Sequence, residues 1–332
     1  MVVDPFSAST PICAPDVPAV SVARLTDPTA VKDGLEVVSH DVISLVEKPF
    51  LAQRIVVRLG GCVLLFHQTS HRLRTYAKVE ESRMAIVALG PRAKATYDGV
   101  SMHPDTLILA APGAETELVV EAGYCSVTLL ISPEDILDHL AARRRNVEFR
   151  VPSNIEFLRG TGSTTHTFFN LAKRVALTAK RNPIMFDQNA SVRLAANQDI
   201  LEALLSVLRQ KATFEFTQTD LKKRKYSQII KTAVAHAEQN VEDPLYVSDL
   251  CRVTDVSERT LQYAFQEIMK TTPMAYLKLL KLHRVRDELR AASRGSTTVT
   301  ALALKWGFWH FGEFSQAYKK CFHELPSETL RT

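Results

Sequence analysis

Glu258, Arg259 and Gln262 form a polar group whose side chains could hydrogen-bond to the edges of nucleic acid bases. A guanidinium can donate two hydrogen bonds to guanine, a carboxamide can pair similarly with adenine, and a carboxylate can accept one from cytosine. Ser257 precedes this group, and Tyr263 follows it on the same outward side. In the alternative interpretation, Glu258 complements the positive end of a helix and Arg259 contacts phosphate.

A second, chemically poorer group lies further along the chain and comprises His310, Phe311, Gly312, Ser315, Gln316, Lys319 and Lys320. Phe311 could pack against a thymine methyl group, and Gly312 would allow a helix to approach closely. His310 followed by Glu313 predicts a variant helix cap, so Glu313 is interpreted as capping rather than contacting bases. We therefore expect the first group to supply most direct base contacts, and the second to supply mainly shape and backbone contacts.

Both groups fall inside repeated patterns that predict a short helix, a tight turn and a second helix. The first unit covers about 247–268, where apolar residues recur at helical spacing and a serine can cap the second helix. The second unit covers about 298–322, where Gly307 permits the turn. Thr272 and Pro273 predict the start of a connecting helix, which would hold the two units in successive major grooves about 34 Å apart.

Four segments stand in order at characteristic spacings: 272–277 (TPMAYL), 302–308 (LALKWGF), 314–322 (FSQAYKKCF) and 325–327 (LPS). Together they resemble the DNA-binding domain of the AraC/XylS family of bacterial transcription regulators. The resemblance implies a regulator, expected to be an activator, whose partners are double-stranded DNA, RNA polymerase and a second copy of the chain. Lys270 and His323 stand where that family usually has glycine, which predicts strained turns after the helices that they follow.

Short apolar or alternating runs from about 37 to 131 are typical of an antiparallel β-barrel or sandwich. Candidate strands are 50–57, 62–67, 84–89, 107–110, 117–120 and 125–131. Helices are predicted over about 132–211, the first of them starting at Ser132 and Pro133. This order of strands and then helices resembles the cupin-like regulatory domains of the same family. The predicted fold class is therefore α+β, followed by an all-α domain with two helix–turn–helix units.

The predicted domain order is a mobile leader, a regulatory and dimerisation domain, a linker and a DNA-binding domain, at 1–28, 29–212, 213–228 and 229–332. The apolar face of the 189–211 helix is interpreted as packing against its own sheet, with a role in dimer formation as the alternative. The basic run at 222–225 is as consistent with a solvated hinge as with a phosphate contact.

The basic residues of this chain are unevenly distributed. The net charge of the 332 residues is +5, but residues 222–332 contain 18 Lys and Arg against 12 Asp and Glu. The basic excess therefore coincides with the predicted DNA-binding domain, as expected for a surface that neutralises phosphates. No apolar run approaches the length of a membrane span, and no basic segment precedes an apolar one at the N-terminus. We expect a cytoplasmic protein with no membrane partner.

Metal, cofactor and catalytic sites are not predicted. The five cysteines are scattered without a C-x-x-C pair, so neither a disulfide framework nor a zinc site is expected. A metal-dependent cupin-type enzyme is one alternative, but His67 and His71 are only a single close pair and His103 is distant. An effector-independent DNA-binding protein is another, and it would leave more than two hundred preceding residues without a role.

A small-molecule effector is expected to bind the N-terminal domain and to alter the position of the two recognition helices. The pattern does not identify its pocket residues, because a shift of one residue in strand register reverses every inward-facing position.

Overall fold

The computed structural model describes residues 17–26, 38–45, 50–142, 149–160, 162–210, 212–240, 245–293 and 295–331. It confirms the α+β fold class, with antiparallel strands first, then helices, and two helix–turn–helix units last. The described strands are β1 Val20–Leu25, β2 Val38–Ser44, β3 Ala52–Arg58, β4 Cys62–Thr69, β5 Leu73–Val79, β6 Met84–Leu89, β7 Ala95–Tyr97, β8 Val100–Met102, β9 Thr106–Ala110, β10 Glu115–Val120, β11 Cys125–Ile131, β12 Ile155–Arg159 and β13 Ala212–Thr213.

The described helices are α1 Pro133–Ala142, α2 Gly162–Arg181, α3 Pro183–Gln188, α4 Ala190–Arg209, α5 Gln218–Gln239, α6 Val247–Thr254, α7 Glu258–Met269, α8 Pro273–Ala291, α9 Val299–Lys305, α10 Phe311–Phe322 and α11 Pro326–Thr329. Several of these helices begin at a residue that the sequence predicts to be an N-terminal cap. Ser132 accepts a hydrogen bond from the N–H of Asp135, and Thr272 accepts one from Ala275. Each oxygen satisfies a backbone donor that would otherwise have no partner in the first turn.

The strands form two sheets in a sandwich. Sheet A has the order β1-β3-β4-β11-β6-β9-β12-β13, and sheet B has the order β2-β5-β10-β7-β8. Alternate residues of sheet A point to opposite sides. On β4, Leu64 and Phe66 pack with α2 and α4, whereas Val63 and Leu65 face sheet B. The molecule is therefore layered, with helices on sheet A and a second core between the two sheets.

Helix α4 packs against its own sheet, as the main interpretation of its apolar face predicts. Ile200, Leu204 and Leu208 are buried with residues of sheet A in one core cluster. Leu194 is an exposed apolar residue on this helix. The apolar side chains of this face are therefore buried within the chain itself.

Two predicted boundaries need correction. The expected leader at 1–28 includes β1, which pairs antiparallel with β3 from Val20 opposite Val57 to Leu25 opposite Ala52. The apolar residues of this strand, Val20, Val22 and Leu25, do not alternate regularly, so the sequence pattern did not reveal it. Residues 1–16, 27 and 28 lie outside the described part of the chain. The expected linker at 213–228 is mostly helical, because Thr217 and Asp220 form a reciprocal capping box that starts α5.

The C-terminal part of the chain contains two helix–turn–helix units. The first consists of α6 and α7, the second of α9 and α10, and α8 connects them. Lys270 and His323 adopt the left-handed conformation, with φ values of 56° and 61°. The predicted strained turns are thus present at the ends of α7 and α10, where a non-glycine residue is disfavoured.

Candidate DNA interface and regulatory cavity

The start of α7 presents the first predicted group of polar side chains. Ser257 accepts a hydrogen bond from the N–H of Thr260 at 3.2 Å, which confirms it as the helix cap. Leu261 and Phe265 bury one side of the helix, so that the opposite side is left to solvent. The exposed side carries the predicted set Ser257, Glu258, Arg259, Gln262 and Tyr263.

The four longer side chains of this set are paired one helical turn apart. Arg259 donates a hydrogen bond to the Tyr263 hydroxyl at 3.3 Å, and its guanidinium lies 5.4 Å from the centre of that ring. Gln262 donates to a carboxylate oxygen of Glu258 at 3.0 Å. Such pairs hold the side chains in extended positions over the helix surface. Contact with bases would exchange these exposed hydrogen bonds for new ones.

The start of α10 presents the second group. His310, Phe311, Gly312, Gln316, Lys319 and Lys320 are exposed, and Ser315 is partly buried. His310 occupies the cap position, but the prediction that its side chain caps the helix is wrong. Its backbone, with φ −102° and ψ 89°, departs from the extended conformation typical of capping residues, and the imidazole makes no capping hydrogen bond. Trp309, which the sequence patterns did not single out, is 71% exposed beside it.

The first helix–turn–helix unit is docked on sheet B. Ile43 of β2 and Val119 of β10 belong to the same buried cluster as Phe265 of α7 and Tyr276 of α8. The core of the second unit is a separate cluster formed by residues of α8, α9, α10 and their flanking turns. The sandwich therefore contacts the two units unequally.

Arg72 joins the sandwich to the end of α7. Its guanidinium donates to the carbonyl oxygens of Ile268 at 2.7 Å and Met269 at 2.6 Å, and pairs with Glu121 at 2.9 Å. The last carbonyls of a helix lack partners within it and carry partial negative charge. Arg72 thus fixes the end of the first recognition helix from outside the DNA-binding domain.

A buried ion pair lies in the same interface. Arg74 and Glu117, on neighbouring strands β5 and β10, pair at 2.6 Å and are both almost fully buried. Burial alone would lower the pKa of Arg74, but the charge and hydrogen bond of Glu117, together with Tyr276 and Asp41, raise that pKa above its usual value. The guanidinium also lies 5.7 Å from the centre of the Tyr276 ring, and Ser227 of α5 donates to Glu117 at 3.3 Å.

A third group of contacts surrounds Arg284 of α8. It donates to both carboxylate oxygens of Asp41, at 2.9 and 2.6 Å, and also pairs with Glu238 of α5. Lys231 of α5 pairs with Asp98 of the β7–β8 turn at 2.5 Å. We call the interactions made by Arg72, Arg74 and Arg284 across this interface the docking contacts.

A cavity of about 130 Å³ lies between the two sheets. Most of its lining is aliphatic, from residues such as Leu65, Val87 and Leu118. The Thr116 hydroxyl is buried in its wall and has no hydrogen-bond partner among the residues that the structure describes. An apolar cavity of roughly this size is large enough for a single aromatic ring.

One end of the cavity is polar. Strand register places Arg54, His67 and Ser126 side by side across β3, β4 and β11, and all three line the cavity. Arg54 is 3% exposed. Tyr97 and Tyr124, whose hydroxyls are 3.3 Å apart, also line it. We call Arg54, His67 and Ser126 the polar end.

The candidate histidines for a metal site are separated. His67 lines the cavity, His71 lies beyond the end of β4 against the ring of Phe50, and His103 is exposed. Within the described residues, no group of three or more His, Cys, Asp or Glu side chains is arranged to hold a metal ion. Over the same residues, no helix has the length and apolar character needed to cross a membrane.

Known proteins match the C-terminal quarter of the chain, and some match a larger part of it. A family model described as a helix-turn-helix domain matches residues 250–332. A probable thc operon regulatory protein of Rhodococcus erythropolis is 41% identical over 104 residues, which cover 31% of each chain. XylDLEGF operon transcriptional activator 1 of Pseudomonas putida is 26% identical over 237 residues, covering 69% of this chain and 67% of that one.

Among solved structures, a probable AraC family transcriptional regulator from Rhodopseudomonas palustris is 34% identical over 31% of this chain and 95% of its own, with a TM-score of 0.29. Of the two relatives named above, the chain spans about a third of the length of the Rhodococcus protein and about two thirds of the Pseudomonas activator. The matched model begins inside α6 and includes α7 to α11. By these sequence matches, residues 250–332 form a helix–turn–helix domain, and the chain is similar to operon regulators of the AraC/XylS type.

Proposed function

We propose that this chain is a sequence-specific activator of transcription whose affinity for DNA responds to a small molecule held in the sandwich. The carrying observation is that strands β5 and β10 separate the cavity from the first helix–turn–helix unit. Leu73 and Thr116 face the cavity, whereas Arg74 and Glu117, the next residue along each strand, face α5 and α8. RNA polymerase and a second copy of the chain are proposed as partners on the strength of the resemblance to AraC/XylS-type regulators.

The proposed base contacts of α7 come from Glu258, Arg259 and Gln262. Their side chains are exposed at the N-terminal end of the helix, which is the part that a helix–turn–helix directs at base edges. On α10, Phe311 and Gly312 occupy the corresponding exposed positions, with fewer hydrogen-bonding groups. We propose that α7 supplies most direct base contacts and that α10 contributes shape and backbone contacts.

Arg259→Ala is expected to weaken binding to the preferred duplex by about 1–3 kcal/mol and to relax preference at one base position. The reason is that alanine cannot replace the bidentate hydrogen bonds that the guanidinium would donate to guanine. Competition titrations against duplexes varied at single positions measure both effects.

Arg252→Ala is the matched control, because Arg252 is exposed on α6 and pairs with Asp249 instead of standing at the start of α7. If Arg259→Ala weakened binding to preferred and random duplexes equally, Arg259 would be assigned to a phosphate contact instead of a base contact.

The cavity fits a small acid with an apolar body. Its aliphatic walls favour an apolar group, and the buried guanidinium of Arg54 favours a carboxylate, because charged hydrogen bonds are strong where water is excluded. The free hydroxyl of Thr116 offers a further polar partner. We propose that the carboxylate of the effector binds at the polar end.

A thermal unfolding series with ring-containing carboxylates and their neutral amides tests this pocket. The expected result is stabilisation by some carboxylates, reaching about 2.7 kcal/mol at a hundredfold excess over Kd, and little by the amides. Arg54→Met should abolish the preference for the acid. Equal stabilisation by acid and amide would contradict the proposed polar end.

Selection of binding sites from a random duplex library tests the proposed function as a whole. The expected outcome is enrichment of one defined sequence, with an affinity that changes when the stabilising carboxylate is added. Retention of all duplexes with equal affinity would contradict sequence-specific regulation.

A further inference from the structure

A groove of about 270 Å³ separates the first half of α8 from the turn between α9 and α10. Lys278 and Lys281 line it from α8, and Trp309 and His310 line it from the turn. The groove ends at the first turn of α10, next to the proposed contacts of Phe311 and Gly312 with DNA. It therefore adjoins the recognition surface of the second unit.

The two lysines differ from several other cations of this domain, which are paired. Arg284 pairs with Asp41 and Glu238, Arg286 pairs with Glu324, and Lys305 pairs with Glu288. Among the residues that the structure describes, Lys278 and Lys281 have no ion-pair or hydrogen-bond partner in the protein. Their positive charge is thus available to a ligand from outside the chain.

Lys281 is the more enclosed of the two lysines. It is partly buried, and burial lowers its pKa. Gly307 closes over it with a φ of 75°, and a Cβ atom at that position would lie 3.3 Å from the Lys281 ammonium nitrogen. A side chain there would crowd the ammonium group, so the glycine serves both the turn and the space beside the lysine.

The opposite wall of the groove is an exposed aromatic side chain. Trp309 is 71% exposed, an unusual position for so large an apolar group. A flat ring beside two unpaired cations suits a sugar–phosphate backbone, because the ring can pack on the sugar while the ammonium groups bind phosphates. Glu313 is the acidic residue in the groove lining, so the cations predominate there.

We infer that this groove binds the sugar–phosphate backbone of DNA between the two major grooves that α7 and α10 enter. In this arrangement α8 is itself a DNA-contacting element as well as a spacer. Lys278 and Lys281 bind phosphates, and Trp309 packs on the adjoining sugar. The inference rests on the proposed function, since it concerns the same bound duplex.

Salt titrations of binding to the duplex enriched from the random library test the inference. Replacing both lysines, Lys278→Met and Lys281→Met, should reduce the slope of log K against log salt by about 0.9 for each lysine. Affinity should fall by roughly tenfold for each charged contact, on preferred and random duplexes alike. Trp309→Ala should weaken both complexes and leave the salt slope unchanged.

Lys305→Met is the matched control, because Lys305 lies in the same unit but already pairs with Glu288. Replacing Lys281 with arginine, which keeps the positive charge, should restore the salt slope that Lys281 contributes. Thermal unfolding of each variant separates loss of binding from loss of fold. An unchanged slope in the double variant, while Arg259→Ala still weakens the preferred complex, would overturn the inference. The groove would then be assigned to binding a protein surface instead of DNA. Absence of duplex preference in the unaltered protein would instead refute the proposed function, and the inference with it.

Discussion

Glu117→Ala is expected to lower the free energy of unfolding by about 3–5 kcal/mol. The substitution leaves the guanidinium of Arg74 buried without its counter-charge, and it also removes the acceptor of the Ser227 hydroxyl. A charge removed from water is strongly destabilising unless it is paired and hydrogen-bonded. Urea unfolding followed by circular dichroism measures the loss. Two transitions in the curve would show that the N-terminal and C-terminal domains unfold in separate steps, and each transition would then be fitted by itself.

Glu115→Ala is the matched control on the same strand. Glu115 is exposed and contacts Tyr76 and Lys78 at the surface, so its loss should cost less than about 1 kcal/mol. Replacing the buried pair together, as Arg74→Met with Glu117→Leu, should recover most of the stability, because no charge is then left unpaired. Equal effects of Glu115→Ala and Glu117→Ala would contradict the assigned role of the buried pair.

Loss of two of the docking contacts, those of Arg72 and Arg284, is expected to uncouple DNA binding from the effector. In the unaltered protein, the carboxylate that stabilises the fold most should change affinity for the preferred duplex by a factor in the range of about 5–150, the usual size of such coupling. Replacing Arg72 and Asp41 together with alanine should bring this factor close to one. Both residues lie on the sandwich, so the side chains that contact DNA stay chemically unchanged.

The physical reason is that these contacts are the connection through which a shift in β5 and β10 reaches α7 and α8. Arg72 holds the carbonyl end of α7, and Asp41 holds Arg284 of α8. Arg150→Ala is the control, because Arg150 forms an exposed ion pair with Glu156 of β12 in the same domain. Effector-dependent binding that persists in the double variant at the original ratio would exclude the contacts of Arg72 and Arg284 as the connection.

The DNA-binding domain could be predicted from sequence because its signals are local. Ser257, Thr272 and Pro273 mark helix starts within a few residues of the structural feature that they determine. His310 is the exception, since its position as cap residue followed from the pattern but the orientation of its side chain did not. Trp309 gave no periodic signal, and only its exposure reveals it as a surface feature.

The interface with the sandwich could not be predicted in the same way. Strand β5 went unrecognised because its outward residues, among them Arg74 and Tyr76, resemble a solvent-exposed polar pattern, whereas Arg74 is buried against helices from another part of the chain. Arg72 and Met269 are 197 residues apart in sequence, and nothing local to either indicates their contact. The cavity likewise depends on strand register, which fixes the alignment of Arg54, His67 and Ser126.

Methylation interference on the duplex enriched from the random library tests most directly whether both recognition helices enter DNA. The expected result is two clusters of interfering guanines on one face of the duplex, about 10 base pairs apart. Arg259→Ala should remove contacts in the cluster assigned to α7 and leave the other unchanged. A single cluster, or interference spread evenly along the duplex, would contradict the proposal that α7 and α10 bind successive major grooves.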